Sequence, residues 1–320
     1  GEFELTRNYF AAAPCAQYGE GVALGIGDDC ALLSVPAGEQ LAVSTDTLVA
    51  GVHFPDVCDP FLLGQRALGV SASDLAAMGA KPLAFTLALT LPEVSAAWLE
   101  AFARGLNLMA QGCSLRLIGG DTTRGPLSIT VTVFGAVPAG MALTRAGARP
   151  GDLLCVGGAL GDGAGALPLV LNQRSSEAST TQALLARYWS PQPQLALGQA
   201  LRGNATSALD ISDGLLGDCG HIALASGVRL LIERDRIPMS DALLRFFGRD
   251  EGLNAALSGG DDYVLAFTLP PSRLDSLTSA GWPVSVIGQV VAGQGVALLD
   301  DLGQDVTPLT RGYQHFRETR

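Results

Sequence analysis

Between Ala31 and Val137 the chain switches repeatedly between two hydrophobic periods, and that switching restricts the fold more than any other feature of its 320 residues. ALLSV (31–35) and LAVSTDTLV (41–49) read as strands separated by turn residues. PFLLGQRALGVSASDLAAMG (60–79) reads as a helix stopped by Gly79. A strand, LAFTLALTL, a helix from Ser95 to Gln111, and the strands LRLIGG and LSITVTVFGAV follow. RAGARPGD, Arg145 to Asp152, is rich in Gly and Pro and marks a junction. Beyond it the alternation resumes: LLCVGG, helices through Arg202, SALDI, the helix LLGDCGHIALASG, and VRLLIE. Further alternation runs to Val291, with a short strand and a tail after it. The pattern predicts an α/β (α+β) protein of two domains, residues 1–148 and 149–320, each with a mixed sheet covered by helices.

A hydrophobic content of 48% is enough for two buried cores, and the longest apolar runs are too short to span a bilayer. The net charge of −11 argues against a nucleic-acid partner, because phosphate backbones are bound by basic surfaces. Six scattered cysteines without a C-x-x-C pair predict reduced thiols, no zinc site and a cytoplasmic location; no signal-peptide pattern opens the chain. Lys81, in MGAKPL, is the only lysine, so no Gly-Lys-Ser/Thr phosphate loop is present. A phosphate-handling site in this chain would draw its positive charge from arginine or a metal ion.

Aspartates recur in one kind of setting. Asp28 and Asp29 follow a glycine turn in LGIGDDCALL, Asp46 stands in STDTLV, and Asp121 ends an apolar strand in LIGGDTTRG. Asp210 and Asp213 bracket a serine in ALDISDGL, and Asp261 and Asp262 follow two glycines in SGGDDY. Asp74 sits in the alanine-rich helix segment SASDLAAMG. Each alone has a structural reading, as a helix N-cap or a turn. Together, five of the six segments place Asp at a strand end beside Gly, Ser or Thr, where α/β folds bind ligands. Converging carboxylates repel and raise one another's pKa unless a cation joins them. Oxygen donors without paired His or Cys select a hard cation, magnesium or manganese in its place, and magnesium in turn favours a phosphate-bearing ligand.

GIGDDCALL, STDTLVAGVHF, SASDLAAMGA, LIGGDTTRGPLSIT, ALTRAGARPGD, ALDISDGL and SGGDDY, in that order, closely resemble the bacterial thiamine-monophosphate kinase family from GEFEL to GYQHF. ALDISDGL alone is similar to a wider superfamily that includes aminoimidazole ribonucleotide synthetase and selenophosphate synthetase. The resemblance implies two α/β domains of that superfamily, a homodimer formed through the N-terminal domains, and a nucleotide cleft without a P-loop. It implies transfer of the γ-phosphoryl group of ATP to thiamine monophosphate, giving thiamine diphosphate and ADP. Carried over by motif, the metal ligands are Asp29, Ser44, Thr45, Asp46, Asp74, Asp121, Asp210 and Asp213. Gly120, Asp121, Arg145 and Ser212 match the ATP contacts, and His53, Asp261 and Tyr313 the substrate contacts. Family members often carry Glu where Asp261 stands, and the tyrosine that some place in the helix before GGD has no counterpart between Glu93 and Ile118. Asp28, Asp218 and Asp262 read as supporting or structural residues, and Arg124 as a weaker phosphate candidate.

The implied chemistry is self-consistent. A phosphate monoester has a second pKa of about 6, so near neutral pH its oxygen is already an anion and no general base is expected. The obstacle is the approach of two anions, which repel by about 4 kcal/mol per unit pair at 4 Å and an effective dielectric of 20. Several Mg2+ ions held by Asp46, Asp121 and Asp210 would cancel that repulsion in a direct in-line transfer. Two alternatives stand beside this reading: a sister ATP-dependent synthetase that releases free phosphate, and a non-catalytic calcium-loaded acidic scaffold.

Overall fold

The computed structural model describes residues 1–17, 19–309 and 311–315; Phe316 of the GYQHF tail lies outside them. The chain divides into two compact units, one of residues 1–76, 80–142 and 189–195, the other of residues 77–79, 143–188 and 196–320.

The first unit contains α1 (Glu2–Leu5), β1 (Val22–Leu24), β2 (Leu32–Leu33), β3 (Glu39–Val49), α2 (Pro60–Ala77), β4 (Lys81–Leu91), α3 (Ala96–Cys113), β5 (Arg116–Arg124) and β6 (Ser128–Pro138). Its four-stranded sheet has the order β3-β6-β4-β5, antiparallel except for the parallel β4–β5 pair. Along β6 the odd-numbered residues Ile129, Val131 and Val133 are fully buried, while Ser128, Thr130 and Thr132 are half-exposed. One face of the sheet is therefore core and the other a hydroxyl-rich surface. Ser95 caps α3 by accepting the Trp98 N–H at 3.3 Å, and Ser114 ends it in the left-handed region. Leu99, Phe102, Leu106, Met109 and Cys113 recur at helical spacing and form its buried stripe.

The second unit contains β7 (Leu153–Val156), α4 (Asp162–Val170), α5 (Ala178–Trp189), α6 (Leu195–Leu201), β8 (Ser207–Asp210), α7 (Leu215–Ser226), β9 (Arg229–Glu233), α8 (Asp241–Asn254), β10 (Leu265–Leu269), α9 (Leu274–Ser279), β11 (Ser285–Val291) and β12 (Gly295–Leu299). Six strands align as β12-β9-β11-β7-β10-β8, with only β12–β9 parallel. Its core joins Leu154, Val156, Leu209, Leu230, Ile232, Ala266 and Ile287 of the strands to Leu215, Leu216, Cys219 and Ile222 of α7.

Both sheets are mixed and carry helices, as the alternating periods predict. Two local expectations change. The ALLSV strand shrinks to Leu32–Leu33, because its partner, β1, is three residues long. β3 runs through Asp46 to Val49, as the strand LAVSTDTLV predicts, whereas β5, expected to end at LIGG, runs past Asp121 to Arg124. The reason is register, since β6 supplies partners along all of β3 and β4 pairs β5 as far as Leu91–Arg124. All six cysteines are free thiols, and among the described residues no helix is long and apolar enough to cross a membrane.

Candidate active site

In the first unit, LIGGD builds one wall of a cavity of about 490 Å³. Gly120 and Asp121 from β5 meet Asp28 and Asp29 from the glycine turn before β2, with Cys30 and Thr122 beside them. Gly120 has φ +151°, and a Cβ there would lie 1.8 Å from the carbonyl oxygen of Leu87 on β4. Only glycine lets the two strands close at this point. Asp121 Oδ1 accepts the N–H of Thr122 at 3.0 Å, which fixes the carboxylate at the cavity wall.

Ser44 and Asp46 alternate on the inner side of β3, and α2 brings Asp74 to them. The Ser44 hydroxyl donates to Asp74 Oδ2. Asp46 is held above the usual carboxylate range, at about 7, first by burial and then by Asp74, which faces it as a like charge and a hydrogen-bond partner. Thr45 points the other way, its hydroxyl 2.9 Å from that of Thr132 on the open face. His53 follows β3 in a tight turn in which its Nδ1 accepts the Val49 N–H at 2.9 Å. A neutral His53 ring therefore carries its proton on Nε2. Arg66, buried on α2, donates to the His53 carbonyl through Nε at 3.3 Å and through a terminal nitrogen at 3.2 Å.

In the second unit three separated segments converge. Asp210 is the last residue of β8, paired opposite Leu265. The turn after it is gathered by Asp218 of α7, whose Oδ2 accepts the N–H groups of Ser212, Asp213 and Gly214 at 3.0, 3.0 and 3.2 Å. Burial lifts the Asp218 carboxyl to about 6 in spite of those donors. Asp261 donates its N–H to the Ser212 carbonyl at 2.7 Å, and Tyr313 donates its N–H to the Asp213 carbonyl at 2.9 Å. Asp261 and Tyr263 both occupy the left-handed region, at φ 60° and 53°, which is strain held by these contacts. The Arg145 carbonyl accepts the Ser226 hydroxyl at 2.8 Å.

The structure thus brings the predicted residues together in three sets: Asp29 with Gly120 and Asp121; Ser44 with Asp46 and Asp74; and Asp210, Ser212, Asp213, Asp261 and Tyr313. Among the described residues no three His, Cys, Asp or Glu side chains form a metal centre by themselves. Arg124, the weaker phosphate candidate, is the last residue of β5. Arg66 was missed, although an arginine within the apolar run FLLGQRALGV was its visible signal.

Comparison with known proteins places this geometry. Residues 27–137 match the family described as "AIR synthase related protein, N-terminal domain", and residues 149–301 match "AIR synthase related protein, C-terminal domain", so the two units are those of an AIR synthase related protein. The sequence is 48% identical to thiamine-monophosphate kinase of Escherichia coli (strain K12), over 99% of this chain and 98% of that one. It is 40% identical to the enzyme of that name from Haemophilus influenzae, over 100% and 99%. The chain belongs to the thiamine-monophosphate kinase family. Its structure superposes on thiamine-monophosphate kinase from Stenotrophomonas maltophilia K279a with a TM-score of 0.83 at 45% identity, covering 89% of this chain and 92% of the other. AaThiL complexed with AMPPCP and TMP matches with a TM-score of 0.80 at 30% identity, covering 88% and 89%.

Proposed function

We propose that this chain is an ATP-dependent phosphotransferase that moves the γ-phosphoryl group of ATP to thiamine monophosphate, releasing ADP and thiamine diphosphate. The observation that carries the reading is the cavity in which Asp29 stands against Gly120 and Asp121, in a chain of this family and fold. The solved relative complexed with AMPPCP and TMP supports ATP as co-substrate and thiamine monophosphate as acceptor.

The metal requirement is read from the donor set. Asp46 and Asp74 face each other with Ser44 as a third oxygen, a like-charge pair that a cation would relieve. Oxygen donors alone suit Mg2+, with Mn2+ as substitute. In this reading Asp29, Ser44, Asp46, Asp74, Asp121, Asp210 and Asp213 hold the ions, while the Thr45 hydroxyl, bonded to Thr132 on the open face, does not join them. When bound, the ions supply positive charge that lets two anionic reactants approach. Gly120, Asp121, Arg145 and Ser212 bind the nucleotide, and no side chain acts as general base. His53, whose ring is set by the Val49 N–H bonded to Nδ1, orients the acceptor phosphate. Asp261 and Tyr313 complete the acceptor site, with the aromatic face of Tyr313 suited to a cationic ring.

The reading extends to a cytoplasmic homodimer, with residues 1–148 binding ATP and metal and forming the dimer, and residues 149–320 completing the site. Exposed Leu41, Val43 and Val49 on β3, along the open face of the first sheet, support that assembly surface.

Turnover of ATP with thiamine monophosphate in Mg2+, followed by product analysis, tests the proposal. ADP with thiamine diphosphate is expected; ADP with free phosphate would transfer the chain to the sister synthetases. Asp46→Asn and Asp121→Asn are expected to lose most activity while remaining folded. Wild-type turnover in both would refute the ligand assignment.

A further inference from the structure

The GGDD turn carries one acid that faces outward and one that does not. Asp261 is half-exposed, whereas Asp262 is 3% exposed and sits among helices rather than in the site. Asp262 Oδ1 accepts the N–H of Gly161, immediately before α4, at 2.9 Å. Its Oδ2 has no hydrogen-bond partner among the described residues. Its main-chain carbonyl accepts from Arg187 of α5 at 3.3 Å. Arg187 also lies 3.8 Å from Asp162 of α4, and Asp162 Oδ1 accepts the hydroxyl of Ser240, the cap of α8, at 2.5 Å. Three helices are thereby tied to one turn.

On either side of Asp262 the backbone is strained and pinned. Asp261, at φ 60°, bonds the Ser212 carbonyl; Tyr263, at φ 53°, bonds the Ile211 carbonyl at 2.8 Å. A Cβ on Gly163 would lie 2.0 Å from the Asp261 carbonyl oxygen, so α4 packs directly against the turn's main chain. Non-glycine residues hold left-handed conformations only when their surroundings over-determine them. Asp262 and Arg187 supply the anchors that the strands do not.

We propose that Asp262, with Arg187, is a positioning residue that fixes the strained conformation of Asp261 and so sets affinity for the phosphoryl acceptor. The inference rests on the acceptor-binding role given to Asp261 under the proposed function. Burial pushes the Asp262 carboxyl well above the usual range, against the Gly161 N–H and the Arg187 charge, which lower it, with Asp162 and Asp261 adding to the rise; Oδ1 is the acceptor of the Gly161 N–H. Asparagine, neutral and of the same shape, retains that acceptor.

Steady-state kinetics of the full chain, with ATP and thiamine monophosphate varied separately, test the assignment. Asp262→Ala is expected to raise KM for thiamine monophosphate about tenfold, at least fivefold more than any change in KM for ATP. Asp262→Asn is expected to stay within about threefold of wild type for both. Arg187→Met, which leaves Asp262 in place, is expected to show the same split in smaller measure and carries the test if Asp262→Ala does not fold. Unchanged or equally changed KM values in the variant tested, or an Asn variant as impaired as Ala, would overturn the inference. Wild-type protein without turnover would instead remove the proposed function and this inference with it.

Discussion

Replacing Gly120 with alanine sets a methyl group against the main chain of the neighbouring strand. The new carbon would lie 1.8 Å from the Leu87 carbonyl oxygen and 2.6 Å from its carbon, and neither atom belongs to a flexible side chain. The backbone at φ +151° adds strain of about 1–3 kcal/mol for a residue with a Cβ. Overpacking adds a further 1–3 kcal/mol, and more where backbone must move. A loss of roughly 2–6 kcal/mol follows, a large part of a typical domain's 5–15 kcal/mol. For a unit of this size it corresponds to a fall in Tm of about 10–20 °C. Gly119, one residue earlier, is the internal control: its Cβ would meet only Thr86 Cγ2, at 3.9 Å. Gly119→Ala is expected within about 1 kcal/mol of wild type, since alanine also restrains the unfolded chain. Thermal unfolding by circular dichroism, with both variants beside wild type, reads the difference. Equal Tm values for the two variants, or Gly120→Ala within 2 °C of wild type, would refute the steric argument.

Two further outcomes are expected. Asp218→Ala removes the acceptor of three N–H groups and should cost about 2–4 kcal/mol, while Asp218→Asn keeps an acceptor and most of the stability; denaturant midpoints decide between them. The raised pKa of Asp46, about 7, means that the fold favours its protonated form, so this contribution is complete below the unfolded value near 4 and fades as pH rises through 7. Asp46→Asn should therefore gain stability over wild type in chelator between pH 5 and pH 8, on the order of 2–4 kcal/mol by the end of that range. Added Mg2+ should narrow the gap, and a Tm difference that does not vary with pH would contradict the raised pKa of Asp46.

The alternation of periods made both mixed sheets legible, because long strands such as LAFTLALTL and LSITVTVFGAV differ plainly from the stripe of α3. The acids were legible as a recurring neighbourhood, but their local setting was not. The glycines before Asp121 look like a strand end, and only the partner strand's length shows that pairing continues through it. The grouping of Asp46 with Asp74 depends on where α2 meets β3, which no local pattern encodes. Asp262 reads in the sequence as a supporting or structural residue, but not what it supports, because the Gly161 amide and Arg187 that meet it lie 101 and 75 residues away.

The Asp218 carboxylate has one more consequence. Three amides converging at the start of a helix form a ready seat for an anion in many nucleotide-binding proteins. Here the protein has filled that seat with its own side chain, one turn into α7. These three amides are therefore not open to an incoming phosphate, whose charge has to be met by an arginine or by a bound cation.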